Sequence, residues 1–288
     1  MNQTMTQSEE KFKQGTSYLM PFEKMHGLGN DFVLINNMHL PEDSNQAYEQ
    51  ELCKKICNRN TGIGADGLII IDVVKESTDS IRSWRYYNAD GSVAEMCGNG
   101  IRCAAKYIYE HGLSGEATQF KIETLAGDIG IEMQEDEMVR VDMGAPKEIK
   151  RDCKLSVDGF DFAYEFVSMG NPHAISFFDD IEAVKDNGPA IEVHSDFPNK
   201  TNVEFAKMKS ETEVDLIVWE RGCGFTEACG TGACATVVAA IERGLAKKDT
   251  DVKVNLPGGT LIINWDSVTG SIFMTGKAEM TFIGYYNS

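Results

Sequence analysis

The stretch MCGNGIRCAAKYIYEHGL, residues 96–113, sets a thiol, Cys97, before two glycines at the start of a predicted helix. ACGTGACATVVAAIERGL, residues 228–245, does the same with Cys229. A thiol at a helix N-terminus sits against unpaired amides and the positive end of the macrodipole, which favour its thiolate and bring it within reach near neutrality. The same amides bind a carboxylate, and glycine beside the thiol leaves that backbone open to a ligand. Two such thiols on opposite faces of one carboxylate ligand can invert a carbon centre. One thiolate removes the α-proton of an amino acid while the opposite thiol delivers a proton to the other face, with no redox change and no covalent intermediate. That α-proton is a weak acid, and the paired helix N-termini would stabilise the negative charge that develops as it leaves. The plainer alternative is a pair of buried cysteines packed under two helix starts.

Repetition argues for the chemical reading. Cys97-Gly98-x-Gly100 recurs as Cys229-Gly230-x-Gly232, and Glu110-x-Gly112-Leu113 recurs as Glu242-x-Gly244-Leu245, both at an offset of 132 residues. At the same offset Glu95 meets Glu227 and Asn88 meets Glu220. Gly29-Asn30 and Gly170-Asn171 stand near the start of each half. Helices are predicted near 46–58, 99–111, 179–187 and 231–243, the second and fourth stopped by Gly112 and Gly244. Strand-like runs such as FVLINN, GLIIIDVV, RSWRYYN, VDLIVWE and LIINW outnumber them. The fold class is therefore α/β of the α+β type: two pseudo-symmetric units, each of mixed or antiparallel strands around a central helix, whose approximate two-fold would bring the thiols together. Gly62, Gly64 and Gly67 match a dinucleotide-binding GxGxxG, but they precede a strand instead of following one, so they predict a turn.

Composition narrows the setting. A chain of 288 residues with 42% apolar content buries one large core or two smaller ones. Its net charge of −18 excludes a nucleic-acid partner, which requires clustered Lys and Arg. No apolar run spans a membrane, and the first twenty residues lack a signal-peptide core, so the expectation is a disordered tail on a cytoplasmic protein. In that compartment the eight cysteines are expected to be reduced. Cys53 and Cys57, one helical turn apart, read as small apolar residues on a buried face, and Cys153 and Cys223 read as structural. No metal site is expected.

The ordered motifs HGLGNDF (26–32), YNADGS (87–92), MCGNGIRC (96–103), MGNPH (169–173), TNVEF (201–205), WERGCG (219–224) and ACGTGAC (228–234) together resemble the diaminopimelate epimerase family from about residue 21 to the end. The resemblance implies a pyridoxal-independent isomerase that uses no cofactor. It would interconvert LL- and meso-diaminopimelate for lysine and peptidoglycan synthesis and form a homodimer. It implies Cys97 and Cys229 as the acid/base pair, with His173 and Glu220 as further catalytic residues. Substrate contacts fall on Asn30, Asn88, Asn171, Asn202, Glu220 and Arg221, with Gly98, Asn99, Gly230 and Thr231 at the reacting carboxylate. Arg221 suits the distal carboxylate, and Glu220 with the asparagines suits the ammonium. The implied organisation is an extension over 1–20, a first half over 21–141 joined by the C-terminal strand 276–288, and a second half over 142–275. Two positions depart from many members: Gly67 stands where they carry Gln, and Thr231 where they carry Ser. Proline racemase-type enzymes are the nearest alternative, although their first motif has His where this chain has Asn99. A noncatalytic amino-acid-binding module and a cysteine-rich metal protein are the other readings.

Overall fold

The computed structural model describes residues 19–72, 81–94 and 96–287. The expected tail over 1–18 and the Glu95 repeat position lie outside these residues. Strand β1 (Leu19–Gly27) already begins within the segment expected to be an extension, and Met20 is fully buried. It is followed by β2 (Asn30–Asn36), helix α1 (Gln46–Ile56), β3 (Gly67–Asp72), β4 (Ile81–Asn88), α2 (Gly98–Glu110), β5 (Gln119–Thr124), β6 (Gly127–Met133) and β7 (Met138–Asp142). Then come β8 (Glu148–Val157), β9 (Phe160–Ser168), β10 (Pro172–Phe177), α3 (Gly188–Glu192), β11 (Asn202–Ser210), β12 (Glu213–Glu220) and β13 (Gly224–Phe225). The chain closes with α4 (Gly230–Glu242), β14 (Val252–Leu256), β15 (Gly259–Trp265), β16 (Ile272–Lys277) and β17 (Glu279–Asn287).

The internal repeat extends to strand pairing. Along β17-β1-β2-β3-β4-β5-β6-β7 the neighbours run antiparallel, antiparallel, parallel, antiparallel, parallel, antiparallel, antiparallel. Along β8-β9-β10-β11-β12-β14-β15-β16 they run in the same order. Even a minor pairing repeats: Tyr87 bridges Val93, and Trp219 pairs with Phe225. The two sets join where β7 pairs antiparallel with β16, and β17 returns from the far end of the chain to β1.

One helix runs inside each set. Of the residues of α2, Ile101, Cys103, Ala104, Ala105 and Ile108 are fully buried, and α4 offers the small apolar face Ala233, Ala235, Val237, Val238, Ala239 and Ala240. Both helices end in the same way. Leu113 N–H donates to Ile108 O and Gly112 N–H to Tyr109 O; Leu245 and Gly244 repeat this onto Ala240 and Ile241. Gly112 and Gly244 have φ of 65° and 73°, the left-handed turn that this paired bond requires. The helix expected at 179–187 is displaced: a 3-10 turn at Lys185–Asn187 leads into α3. Pro189 explains the shift, because its fixed φ and missing N–H suit the first turn of a helix, so a helix begins beside it instead of ending just before it.

Candidate active site

Cys97 and Cys229 occupy the capping position of the two central helices. Each has extended backbone, and each sulfur accepts the amide of the third residue beyond it: Gly100 N–H to Cys97 at 3.5 Å, Gly232 N–H to Cys229 at 3.3 Å. The thiols thus take the place usually held by a Ser, Thr or Asp oxygen. Ile101 and Ala233 amides donate to the carbonyls of the two cysteines. That leaves the Gly98, Asn99, Gly230 and Thr231 amides without partners inside their helices. The two helix starts touch: a Cβ built on Gly98 would lie 3.5 Å from the Gly230 Cα, and the reverse distance is the same.

The surroundings of the two thiols differ. Cys97, half-buried, donates toward Asn30 Oδ1 at 3.8 Å. Asn30 is oriented by Asp66, whose Oδ2 accepts its amide at 2.8 Å, and Asp66 in turn pairs with Arg59. Asn99 donates to Asn30 Oδ1 at 3.2 Å and to the Ala228 carbonyl at 2.9 Å, tying the first helix start to the residue before Cys229. Cys229, buried, lies 3.7 Å from the Thr231 hydroxyl and within the field of the Glu220 carboxyl group. Glu220 accepts from the Thr226 hydroxyl at 2.5 Å. Behind Thr231 stand Asn171, whose Nδ2 donates to Thr231 Oγ1 at 3.2 Å, and His173.

Electrostatics correct one expectation. Burial pushes both thiols above their ordinary range, and for Cys229 the carboxylates of Glu220 and Glu204 push further. The helix amides act in the expected direction, those of Gly100 and Asn99 on Cys97 and that of Gly232 on Cys229, but they do not outweigh desolvation. In the ligand-free protein both groups are therefore thiols. Burial likewise raises Glu220, against the Thr226 hydrogen bond.

The remaining expected residues take distinct places. Asn88 ends β4, with its Nδ2 on Ser92 and its Oδ1 accepting from the Tyr86 hydroxyl at 3.0 Å. The Cys53 thiol donates to the Asn88 carbonyl at 3.1 Å and lies 3.7 Å from the Cys57 sulfur, so this pair is packed as expected. Asn202 is buried, its Nδ2 on the Pro172 carbonyl and its Oδ1 accepting the Arg221 amide at 2.9 Å. The Arg221 side chain is exposed and rests on the Asn199 carbonyl. Cys223 is exposed in the turn after Glu220, not packed.

Four residues escaped the sequence reading. Tyr86 lies with its hydroxyl beside Cys97, and a Cβ on Gly67 would stand 2.5 Å from its ring, so Tyr86 fills the space that a side chain at 67 would need. Arg102, wholly buried, donates to the Gly98 carbonyl and Asn99 Oδ1, both at 3.0 Å, and sets a cation beneath the first helix start. Asp66 and Glu204 orient Asn30 and His173. All four lay inside motifs already singled out, Asp66 in the GxGxxG of 62–67, Tyr86 in RSWRYYN, Arg102 in MCGNGIRC and Glu204 in TNVEF, but a buried polar partner leaves no periodic signal.

The sequence matches the model of the family described as diaminopimelate epimerase over residues 22–149 and 165–281. A diaminopimelate epimerase of Carboxydothermus hydrogenoformans is 47% identical over 281 residues, 93% of this chain and 99% of that one. One from Bacillus cytotoxicus is 42% identical over 286 residues, 92% and 96% of the two chains. Among solved structures, a hydroxyproline epimerase from Agrobacterium vitis superposes with a TM-score of 0.71 at 16% identity, covering 94% of this chain and 93% of that one. A PhzF-family phenazine biosynthesis protein from Bacillus anthracis gives 0.70 at 16% identity, with 93% and 99% covered. These two likenesses concern the fold alone.

Proposed function

Since the chain belongs to the diaminopimelate epimerase family and is an isomerase, we propose that it interconverts LL-2,6-diaminopimelate and meso-diaminopimelate by a two-thiol acid/base mechanism, supplying lysine and peptidoglycan synthesis. The observation that carries this reading is the contact of two thiol-capped helix starts at Gly98 and Gly230. A carboxylate seated on the Gly98, Asn99, Gly230 and Thr231 amides has its α-carbon between Cys97 and Cys229.

The proton inventory is set by the site. In the LL direction or its reverse, one thiol must first give up its proton. For Cys229 the acceptor is the Glu220 carboxylate, the carboxyl group that acts most strongly on it. The thiolate so formed is desolvated and strongly basic, and it takes the α-proton. The opposite thiol, Cys97, protonates the other face and becomes the thiolate. As the α-proton leaves, charge moves onto the substrate carboxylate, and four fixed amides with Arg102 behind them stabilise it without reorganising. Asn30 and Asn171 border the two thiols, His173 positions Asn171, and Asn88 with Glu220 faces the ammonium groups. Arg221, exposed on an anchored backbone, reads the distal carboxylate with its planar fork.

On this reading residues 21–141, completed by β17, form one half, and the second half runs from 142 to the end of β16 at Lys277, two residues beyond the expected boundary at 275. The protein is a homodimer, for which Met280, Phe282, Ile283 and Tyr285 on β17 supply exposed apolar surface. No helix among the described residues is long and apolar enough to cross a membrane. The test is direct: purified protein given LL-diaminopimelate and no added cofactor should form the meso isomer, and absence of conversion under reducing conditions overturns the proposal.

A further inference from the structure

Behind Cys229 the structure holds a buried carboxyl group that neither thiol's proton transfer uses. Glu204 and His173 have no exposed side-chain surface, and Glu204 Oε1 lies 2.6 Å from His173 Nδ1. His173 Nε2 lies 3.0 Å from Asn171 Oδ1, Asn171 Nδ2 lies 3.2 Å from Thr231 Oγ1, and Thr231 Oγ1 lies 3.7 Å from Cys229 Sγ. The five residues form one chain from a buried acid to the thiol. A Cβ on Gly232 would stand 2.9 Å from Glu204 Oε1 and 3.1 Å from the Cys229 sulfur, so glycine there admits the carboxyl group against the residue whose amide caps Cys229.

We propose that Glu204 is a positioning residue for the Cys229 side of the site, and that Glu204 and His173 hold two protons between them. Resting on the two-thiol reading of the active site, their role is to keep His173 Nε2 a permanent donor, which locks Asn171 and leaves the Thr231 hydroxyl proton free for the sulfur.

Hydrogen-bond valence carries the argument. An amide oxygen has no proton, so the His173–Asn171 bond requires a proton on Nε2. The 2.6 Å approach at Nδ1 requires another between nitrogen and carboxyl oxygen. Imidazolium with carboxylate, or imidazole with carboxylic acid, both satisfy this, and both are neutral as a unit. Removing one proton would break a bond in the chain and leave a net negative charge in a dry volume already facing Glu220 and Cys229. Among the described residues the second carboxyl oxygen of Glu204 has no hydrogen-bond partner. That is costly for half of an ionised carboxylate and cheaper for the carbonyl oxygen of an acid, so the acid form with neutral imidazole is favoured. Burial, which raises the Glu204 carboxyl above its ordinary range, acts in the same direction. Were Asn171 turned over, its oxygen would take the Thr231 proton and the sulfur would lose its donor.

Nitrogen NMR of the ligand-free full chain labelled at histidine tests the proton count without reference to activity. The buried ring should show a protonated Nε2 at every pH measured between about 6 and about 9. A bare Nε2 within that range overturns the proposal, even if the enzyme is an epimerase. The variants read the positioning role. Glu204→Gln keeps a donor for Nδ1 and should hold kcat within about threefold. Glu204→Leu should lower kcat by at least about tenfold with KM changed less than about twofold. Wild-type kcat in the Leu variant, or a Gln variant as impaired as a soluble, folded Leu variant, refutes it. If the Leu variant does not fold, loss of kcat by about tenfold in the Gln variant refutes it, and retention together with the protonated Nε2 supports it.

Discussion

Gly98 and Gly230 meet back to back, each within 3.5 Å of where the other's Cβ would stand, so the first turns of two helices from opposite halves of the chain open onto one point. A substitution here separates stability from catalysis. In Gly98→Ala or Gly230→Ala the added methyl meets the flexible end of Met274 at 3.2 or 3.0 Å, a small adjustment. Replacing helical Gly by Ala returns about 1 kcal/mol of helix propensity. Thermal stability should therefore change by less than about 1 kcal/mol, while the methyl obstructs the amides that seat the carboxylate. The expected kcat/KM is at least about a hundredfold lower, worth about 2.7 kcal/mol of transition-state stabilisation. Steady-state kinetics beside a melting curve check both halves of the statement.

In the proposed mechanism Glu220 accepts the Cys229 proton, and burial raises its carboxyl above the ordinary range. A carboxyl group accepts only when ionised, so kcat/KM should rise with pH and be lost as pH falls through that raised value, on the alkaline side of the ordinary glutamate pKa of about 4.3. Glu220→Gln should remove this acidic limb and lower kcat by about a hundredfold or more. A pH profile of the variant with the same acidic limb as the parent would assign that limb to another group.

Much of this site was legible because it rests on local rules. Cys97 and Cys229 were visible as helix caps through the glycines that come after them, and the helix ends through Gly112 and Gly244. β8, EIKRDCKLSV, escaped notice because it lacks an alternating apolar face: it buries only Leu155 and is held by pairing with β9, not by a pattern of its own. The expectation of easily formed thiolates erred because a sequence displays helix dipoles but not desolvation, which here dominates. Glu204 was illegible for a related reason: nothing in TNVEF announces that its carboxyl points inward to a histidine in the neighbouring strand.

In the proposed site Arg221 reads the distal end of the substrate. Its backbone is fixed by Asn202, and its exposed side chain, resting on the Asn199 carbonyl, would exchange that bond for the substrate carboxylate. Arg221→Lys keeps the charge and loses the fork that grips a carboxylate through two parallel bonds. A loss in kcat/KM well beyond tenfold, more than about 1.4 kcal/mol, is expected. Near-parental kinetics would place the distal carboxylate elsewhere.

Tyr86 and Gly67 form a complementary pair, because the ring occupies the space denied to a side chain at 67. The Tyr86 hydroxyl donates to Asn88 Oδ1 at 3.0 Å and lies beside the Cys97 thiol. Tyr86→Phe keeps the packing and removes the hydroxyl, so folding should be unaffected. The lost hydrogen bond, about 1 kcal/mol, should lower kcat/KM by about fivefold. Gly67→Gln in the parent should be destabilising, because a Cβ there would stand 2.5 Å from the Tyr86 ring and 2.7 Å from the Tyr87 carbonyl, and a melting curve would register the loss.

Isotope labelling tests the division of labour between the two thiols. The proton delivered to the product comes from a thiol already equilibrated with solvent, whereas the proton taken from the substrate stays on the opposite sulfur. Early in the reaction from LL-diaminopimelate in D₂O, the meso product should therefore carry deuterium at its new centre while recovered substrate remains largely protiated. A single base serving both faces would return the substrate's own proton or label both pools alike. Each direction needs one thiolate and one thiol, so Cys97→Ala and Cys229→Ala should each abolish net epimerisation. Oxidation that joins the two sulfurs should do the same, reversibly on reduction. Mass spectrometry of both pools, read beside the two variants, decides the matter: substrate labelling as fast as product, with substantial turnover in either alanine variant, would mean that the two capped helices do not share one carbon between them.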